Sequence, residues 1–313
     1  MAPVMTKIST AQRVGGAAVA AFGGVCLAVQ GRINGQLGHL LHDGVFAALS
    51  SFTIGLVLLV IGVAAVPVTR RATARLVASL RLGKLRWWQC LGGACGAYVI
   101  AAQGITVATL GVAVFTVAVV SGMVVAGLAV DRAGIGPGGP RPITTPRAIA
   151  AGLAVVAVLV AVSNKLGNPA GLWLAILPAT AGLGIAWQTA VNGLVRLQAD
   201  NVVVPTMVNF LTGAAALTVA CAVDVALRGW PAALPGQWWL YIGGVLGIGA
   251  IMTAVFAVRL IGVLLLSLSS VAGQLVGAVG LDIVVPTAGG LSAVSVIGAA
   301  ITMVAVGVAA LRR

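Results

Sequence analysis

Gln30 and Asn34 stand four residues apart, and Gln188 and Asn192 repeat the pair. On a helix that spacing puts two side chains on one face. Each amide offers donors and an acceptor, so the pairs can bind a polar solute, gate its passage, or bridge helices at about 0.6–2 kcal/mol per bond. Gly35 and Gly193 follow directly, which places both pairs in the last turns of their helices and lets a helix-end role compete with binding. Gln274 lies mid-helix between Gly273 and Gly277, glycines that permit the close helix approach a site-lining residue needs. Gln103 and Asn209 are weaker candidates of the same kind. Trp187, beside Gln188, can stack on a solute or anchor at a membrane interface. Asp131 and Asp282 are the carboxylates available for ion coupling. Both fall at the ends of apolar runs, where capping or interfacial placement competes.

Other chemistry is thinly represented. His39 and His42 are three apart, as metal ligands on a helix can be, but the second copy has Leu197 and Asp200 there, and no metal is expected. Cys26, Cys90, Cys95 and Cys221 lie inside apolar runs without metal-ligand spacing and read as packing residues. Gly136-Pro137-Gly138-Gly139-Pro140 is a turn-forming loop, not a phosphate cradle between a strand and a helix. The chain has no GxxxxGK[ST], no Gly-x-Ser-x-Gly and no HExxH. Neither an enzyme nor a cofactor is therefore expected.

The elements that must carry these amides follow from composition. Mean hydropathy is +1.14, 60% of residues are apolar, and 7% are charged, against about 25% in a soluble domain. A lipid-spanning segment must satisfy its own backbone, which leaves helices and closed barrels. Barrel strands alternate with period two. Here the apolar runs are continuous and long enough to cross ~30 Å of hydrocarbon as helices. Ten are expected, at about 14–34, 45–68, 87–108, 111–131, 147–164, 170–192, 203–226, 237–257, 260–284 and 290–311. The first resembles a signal peptide but carries a repeat motif and is read as retained. Trp87-Trp88 and Trp238-Trp239 start two runs, as interface anchors do.

The net charge of +13 does not point to nucleic acid, because it sits in the loops between spans. With a cytoplasmic N-terminus, all of the 18 Lys and Arg except Arg32, Lys165 and Arg228 fall inside. That bias obeys the positive-inside rule and puts both termini in the cytoplasm.

The second half repeats the first. At one constant offset Gly24 matches Gly182, Gln30 matches Gln188, Asn34-Gly35 matches Asn192-Gly193, and Phe52 and Gly55 match Phe210 and Gly213. At a slightly shorter offset Trp87-Trp88 matches Trp238-Trp239, Gly96 matches Gly247, Gly111 matches Gly262, and Asp131 matches Asp282. Each half, 1–165 and 166–313, holds five spans, and an odd number inverts the second copy. The expected fold is all-α integral membrane: ten transmembrane helices as a 5+5 inverted repeat. This is a recurrent transporter architecture, with the site at the repeat interface.

The segment Gln30-Gly31-Arg32-Ile33-Asn34-Gly35-Gln36-Leu37-Gly38, the stretch Ala47 to Gly55, and Gly273-Gln274-Leu275 leading to Asp282 resemble the YdcZ-like branch of the drug/metabolite transporter superfamily. The resemblance covers nearly the whole chain as two fused five-helix copies. It implies a bacterial inner-membrane protein that carries a small solute. Small multidrug-resistance pumps of that superfamily exchange protons for cations on an embedded Glu. Here all 5 acidic residues are Asp, which weakens a cation-antiport reading. Met123 stands where the second copy has Gln274, so the halves are not equivalent.

A secondary transporter working by alternating access is the expected function, with the bilayer and a small-molecule substrate as partners. A non-transporting membrane subunit or scaffold is the alternative, although no soluble domain or long loop offers it a partner surface. Fusion of the halves removes the need to dimerise and allows a monomer.

Overall fold

The computed structural model describes residues 9–110, 112–149, 151–153, 174–231 and 233–284. Among them every regular element is a helix or a short 3-10 turn. Helix α1 (Thr10–Leu41) starts on a capping box. Gln12 N donates to Ser9 Oγ at 3.2 Å, and Ser9 N donates to Gln12 Oε1 at 2.8 Å, which satisfies two otherwise orphaned donors. α1 ends at His42, in the left-handed region at φ 54°. Asp43 then caps α2 (Gly44–Ala65) by accepting from Phe46 N at 2.9 Å. α2 stops at Val66, because Pro67 lacks an N–H and restricts the residue before it.

The same proline is the first residue of α3 (Pro67–Arg81). This segment, expected to be a basic loop, is an amphipathic helix. Thr69, Ala72, Leu76 and Ser79 form its buried stripe, at spacings that share one face, while its arginines stand outward.

A 3-10 turn at Trp87–Cys90 leads into α4 (Gly92–Leu110) and α5 (Val112–Ala133). Residues 145–149 and 151–153 are helical. Then come α6 (Ile176–Ala199), α7 (Val203–Arg228), a second 3-10 turn at Trp238–Tyr241, and α8 (Gly243–Val284). α8 is broken at Gly262, whose φ of 79° and ψ of 173° are not helical. A left-handed φ favours glycine. The sequence places this split near Arg259, three residues early. The first-half split falls where expected, between Leu110 and Val112; Gly111 lies outside the described residues. Of the fifth expected span only its first turns are described, and the tenth, 290–311, lies outside.

Two helix ends differ from expectation in a way that matters for function. α1 runs to Leu41 and α6 to Ala199. The Gln/Asn pairs therefore sit inside helices, not in their last turns. Glycine stops a helix where water can take the freed backbone groups; lipid offers no such partner, so the helices run on.

Packing follows the repeat. α1 packs on α8 and α6 packs on α5, with backbones in close contact at Gly24 against Ser270 and at the matching Gly182 against Val119. α2 packs on α7: Phe52 meets Gly213, and Phe210 meets Gly55. Phe46 and Leu49 at the start of α2 lie beside Thr218 and Cys221 late in α7, so these counterpart helices run antiparallel. Among the described residues four stretches, Thr10–Leu41, Gly44–Ala65, Val203–Arg228 and Trp238–Gly277, are long and apolar enough to cross a membrane.

Candidate functional site

Two amide-centred hydrogen bonds flank the α2–α7 contact, one in each half. Ser51 Oγ donates to Asn34 Oδ1 at 2.6 Å, tying α2 to α1. Asn192 Nδ2 donates to Asn209 Oδ1 at 2.8 Å, tying α6 to α7. Ser51 and Asn209 occupy matching repeat positions, one residue before Phe52 and Phe210. The two bonds are therefore one interaction made twice. Asn209 gains a definite partner. Ser51 was missed at the sequence level, because a Ser–Asn match is not an identity; its place beside the matched phenylalanine was the available signal.

Between the bonds lies an aromatic pair. The rings of Phe52 and Phe210 are 5.1 Å apart between centroids and inclined at 34°. Aromatic pairs in this range contribute about 0.5–1.5 kcal/mol beyond their buried area. Each ring adjoins a glycine of the matched pair Gly96 and Gly247, and each glycine adjoins a glutamine. A Cβ at Gly247 would stand 2.8 Å from Gln30 Nε2 and 3.1 Å from Phe210 Cζ. A Cβ at Gly96 would stand 3.9 Å from Gln188 Oε1 and 3.7 Å from Phe52 Cζ. Gln30, Phe210, Phe52 and Gln188, scattered along the chain, thus form a spatial series across the bundle.

The two ends of this series differ in exposure. Gln188, Asn192 and Asn209 are 6%, 4% and 1% exposed, whereas Gln30 and Asn34 are half-buried. Gln188 Oε1 is buried without a hydrogen-bond partner. Trp187 stacks on Trp88, with centroids 6.1 Å apart and planes at 19°. Trp87 and Trp238 are exposed, as anchors at a membrane surface would be.

Gln274 sits elsewhere. Its helix passes Gly24 of α1, where the Gln274 backbone N faces that glycine, and no described contact joins it to the aromatic pair. Its flanking glycines serve helix packing: Gly273 touches the Ala21 carbonyl, and a Cβ at Gly277 would stand 3.1 Å from Ala28. Gln103 is exposed on α4.

Asp131 has a structural role that its end-of-span position anticipates. The break at Gly262 frees N–H groups of the next turn, and Asp131 takes two of them: Val263 N at 2.9 Å and Leu264 N at 3.3 Å. A carboxylate there also complements the helix dipole. Arg147 pairs with the same carboxylate. Arg141 Nη2 donates to the carbonyl of Arg259, before the break, at 3.2 Å. Burial lowers the Arg141 pKa from its ordinary value, while Asp131 opposes the shift. The side chain of Asp282 lies outside the described residues.

Helices of this length and apolarity mark an integral membrane protein. The chain belongs to the family described as "Putative inner membrane exporter, YdcZ", whose model matches residues 16–160 and again 173–310. As a member it is an inner-membrane protein and a transporter rather than an enzyme. No curated protein matches the chain.

Proposed function

We propose that the chain is a secondary transporter that moves a small solute across the bacterial inner membrane by alternating access. The solute passes between two five-helix halves, 1–165 and 166–313, set in opposite orientations with both termini cytoplasmic. The Gln30–Asn34 end faces outward and the Gln188–Asn192 end inward. The repeat of contacts between halves and the antiparallel run of α2 and α7 support the inverted 5+5 arrangement. The observation that carries the reading is the unequal burial of matched amides. In a two-fold arrangement at rest they would be equally exposed. A carrier caught with one end closed exposes only the other.

In this reading Gln30 and Asn34 line the open end, with Ser51 buried behind Asn34, and Gln188, Asn192 and Asn209 line the closed one. Phe52 and Phe210 form the partition that the solute must pass. Gln274 is assigned to helix packing. Cysteine labelling in intact cells tests this, in a background with the four native cysteines replaced. Asn34→Cys should react with a membrane-impermeant maleimide added outside, and Asn192→Cys should not. In inverted vesicles the order of access should reverse. Equal labelling of both positions from one side would sink the two-gate reading. An active alkaline phosphatase fused after Arg313 would sink the even number of spans.

A further inference from the structure

Helix α3 carries Arg70, Arg71, Arg75 and Arg81 and no acidic residue, and Lys84 and Arg86 follow it. All of these side chains are exposed. Arg71 and Arg75 stand four apart on one face, a spacing at which like charges repel. Arg70 and Arg81 share a second line, three turns apart. Among the described residues the one ion pair on this face joins Arg75 to Asp200 at 4.0 Å, with both partners open to solvent, and exposed pairs of this kind are weak and screened. Repelling cations are gathered here without their counter-charge in the chain, so the anion must come from outside it.

The place of α3 says what that anion is. The apolar stretch Gly44–Ala65 ends two residues before Pro67. The next apolar run opens at Trp87-Trp88. Both ends of α3 are thus tied to the surface of the bilayer, within the ~8–10 Å over which charges act in salt. Large apolar side chains stand among the arginines: Leu82 and Trp87 are 70% and 72% exposed, and Val68 and Val77 are exposed too. Basic side chains interleaved with Leu and Trp suit the boundary between headgroups and acyl chains. A nucleic acid or an acidic protein would leave those apolar groups uncovered.

We propose that the outer face of α3 is a binding surface for anionic lipids, with Arg70, Arg71, Arg75 and Arg81 on their phosphates and Leu82 and Trp87 among the first carbons of their chains. A guanidinium fork matches phosphate oxygens in pairs. The inward stripe of α3 is already spent on α6 and α7, so the lipid needs no cavity. The proposal rests on the membrane location of the chain and is independent of the alternating-access reading.

Native mass spectrometry of the purified full chain in neutral detergent, titrated with phosphatidylglycerol or with phosphatidylcholine of the same chains, tests it. The wild type should bind phosphatidylglycerol at least tenfold tighter, and the preference should shrink as ammonium acetate is raised. Each arginine at an anionic surface is worth about fivefold, so Arg70→Gln, Arg71→Gln and Arg75→Gln together should remove the preference. Arg13→Gln, Arg132→Gln and Arg259→Gln together take the same charge from exposed positions elsewhere and should keep it. If the first triple variant melts early, its single changes carry the test at about fivefold each. Equal binding of the two lipids by the wild type, or equal loss in the two triple variants, would overturn the proposal. Glycerol 3-phosphate or a short DNA duplex displacing phosphatidylglycerol at equal concentration would overturn it as well, by making the face a site for a soluble phosphate or a nucleic acid.

Discussion

At one end of the bundle Leu37 and Leu41 of α1 pack with Ala47 of α2 and Leu240. At the other, their repeat counterparts Val195 and Ala199 of α6 pack with Val204 of α7. There the likeness stops. The second cluster also takes in Ala72 and Leu76 of α3 and Leu85 beyond it, whereas the first has no such cover. Near the first, an apolar groove of about 390 Å³ opens between α2 and α7, lined by Phe46, Leu49, Thr218, Cys221, Val225 and Trp230. Among the described residues, the loop after α7 contains no helix to fill it. Two copies of one unit would close either end with equal ease. On the proposed alternating-access reading, α3, seated on one end without a described counterpart at the other, would bias the pair toward sealing that end.

The largest expected effect lies at the sealed end, at the elbow of α8. Asp131 is 3% exposed and holds two backbone N–H groups and Arg147. Removing one partner of a buried pair costs about 3–5 kcal/mol, because the other charge stays behind. Asp131→Ala should lower stability by that order in thermal or denaturant unfolding in detergent. Asp131→Asn should recover part of it, since its amide oxygen still accepts. If Asp131 instead carries a transported proton, Asp131→Asn will leave stability untouched and abolish the pH dependence of flux.

Next in size is the seat of α3. Leu76 is buried against α6 and α7, and truncation of a buried leucine costs about 2–5 kcal/mol. Leu76→Ala should fall at the low end of that range, because α3 lies at the edge of the bundle and can settle. It should also raise the rate at which N-ethylmaleimide labels a cysteine at position 188. A lower melting temperature with unchanged labelling would mean that α3 stabilises the fold without biasing the ends.

Much of this comparison was legible in the sequence, and the illegible part has physical reasons. The repeat could be read because Gln30, Asn34, Trp87-Trp88 and Asp131 recur in a chain where apolar matches carry no information. The facing of Phe52 and Phe210 could not, because both were seen only as matches and a ring contact between halves is tertiary. α3 was hidden because its buried stripe is Thr69, Ala72, Leu76 and Ser79, with one strong hydrophobe among small and polar residues, so its arginines dominated the reading. The role of Gln274 was not legible, because Gly273 and Gly277 announce close packing without saying whether a solute or a helix is the neighbour of the side chain between them. Asp131 was placed correctly at a span end, but the N–H groups it caps belong to residues 263 and 264 in the other half.

The smallest effect separates the two devices that hold the sealed end, α3 and the amide bond between Asn192 and Asn209. The open end makes its equivalent bond with Ser51, so a serine at this position is already accommodated by the same backbone arrangement. Asn209→Ser should therefore cost less than about 0.6 kcal/mol, the mean for a hydrogen bond between membrane helices, because its hydroxyl can reach Asn192 as Ser51 reaches Asn34. Labelling at position 188 should stay slow, because the cover over Ala199 and Val204 is intact. If it rises to the rate seen for a cysteine at position 30, the amide bond, and not α3, is what makes the two ends unequal. The Leu76→Ala result then decides whether α3 contributes at all: additive increases in labelling in the double variant would mean two independent closures, and no further increase would mean one closure acting through the other.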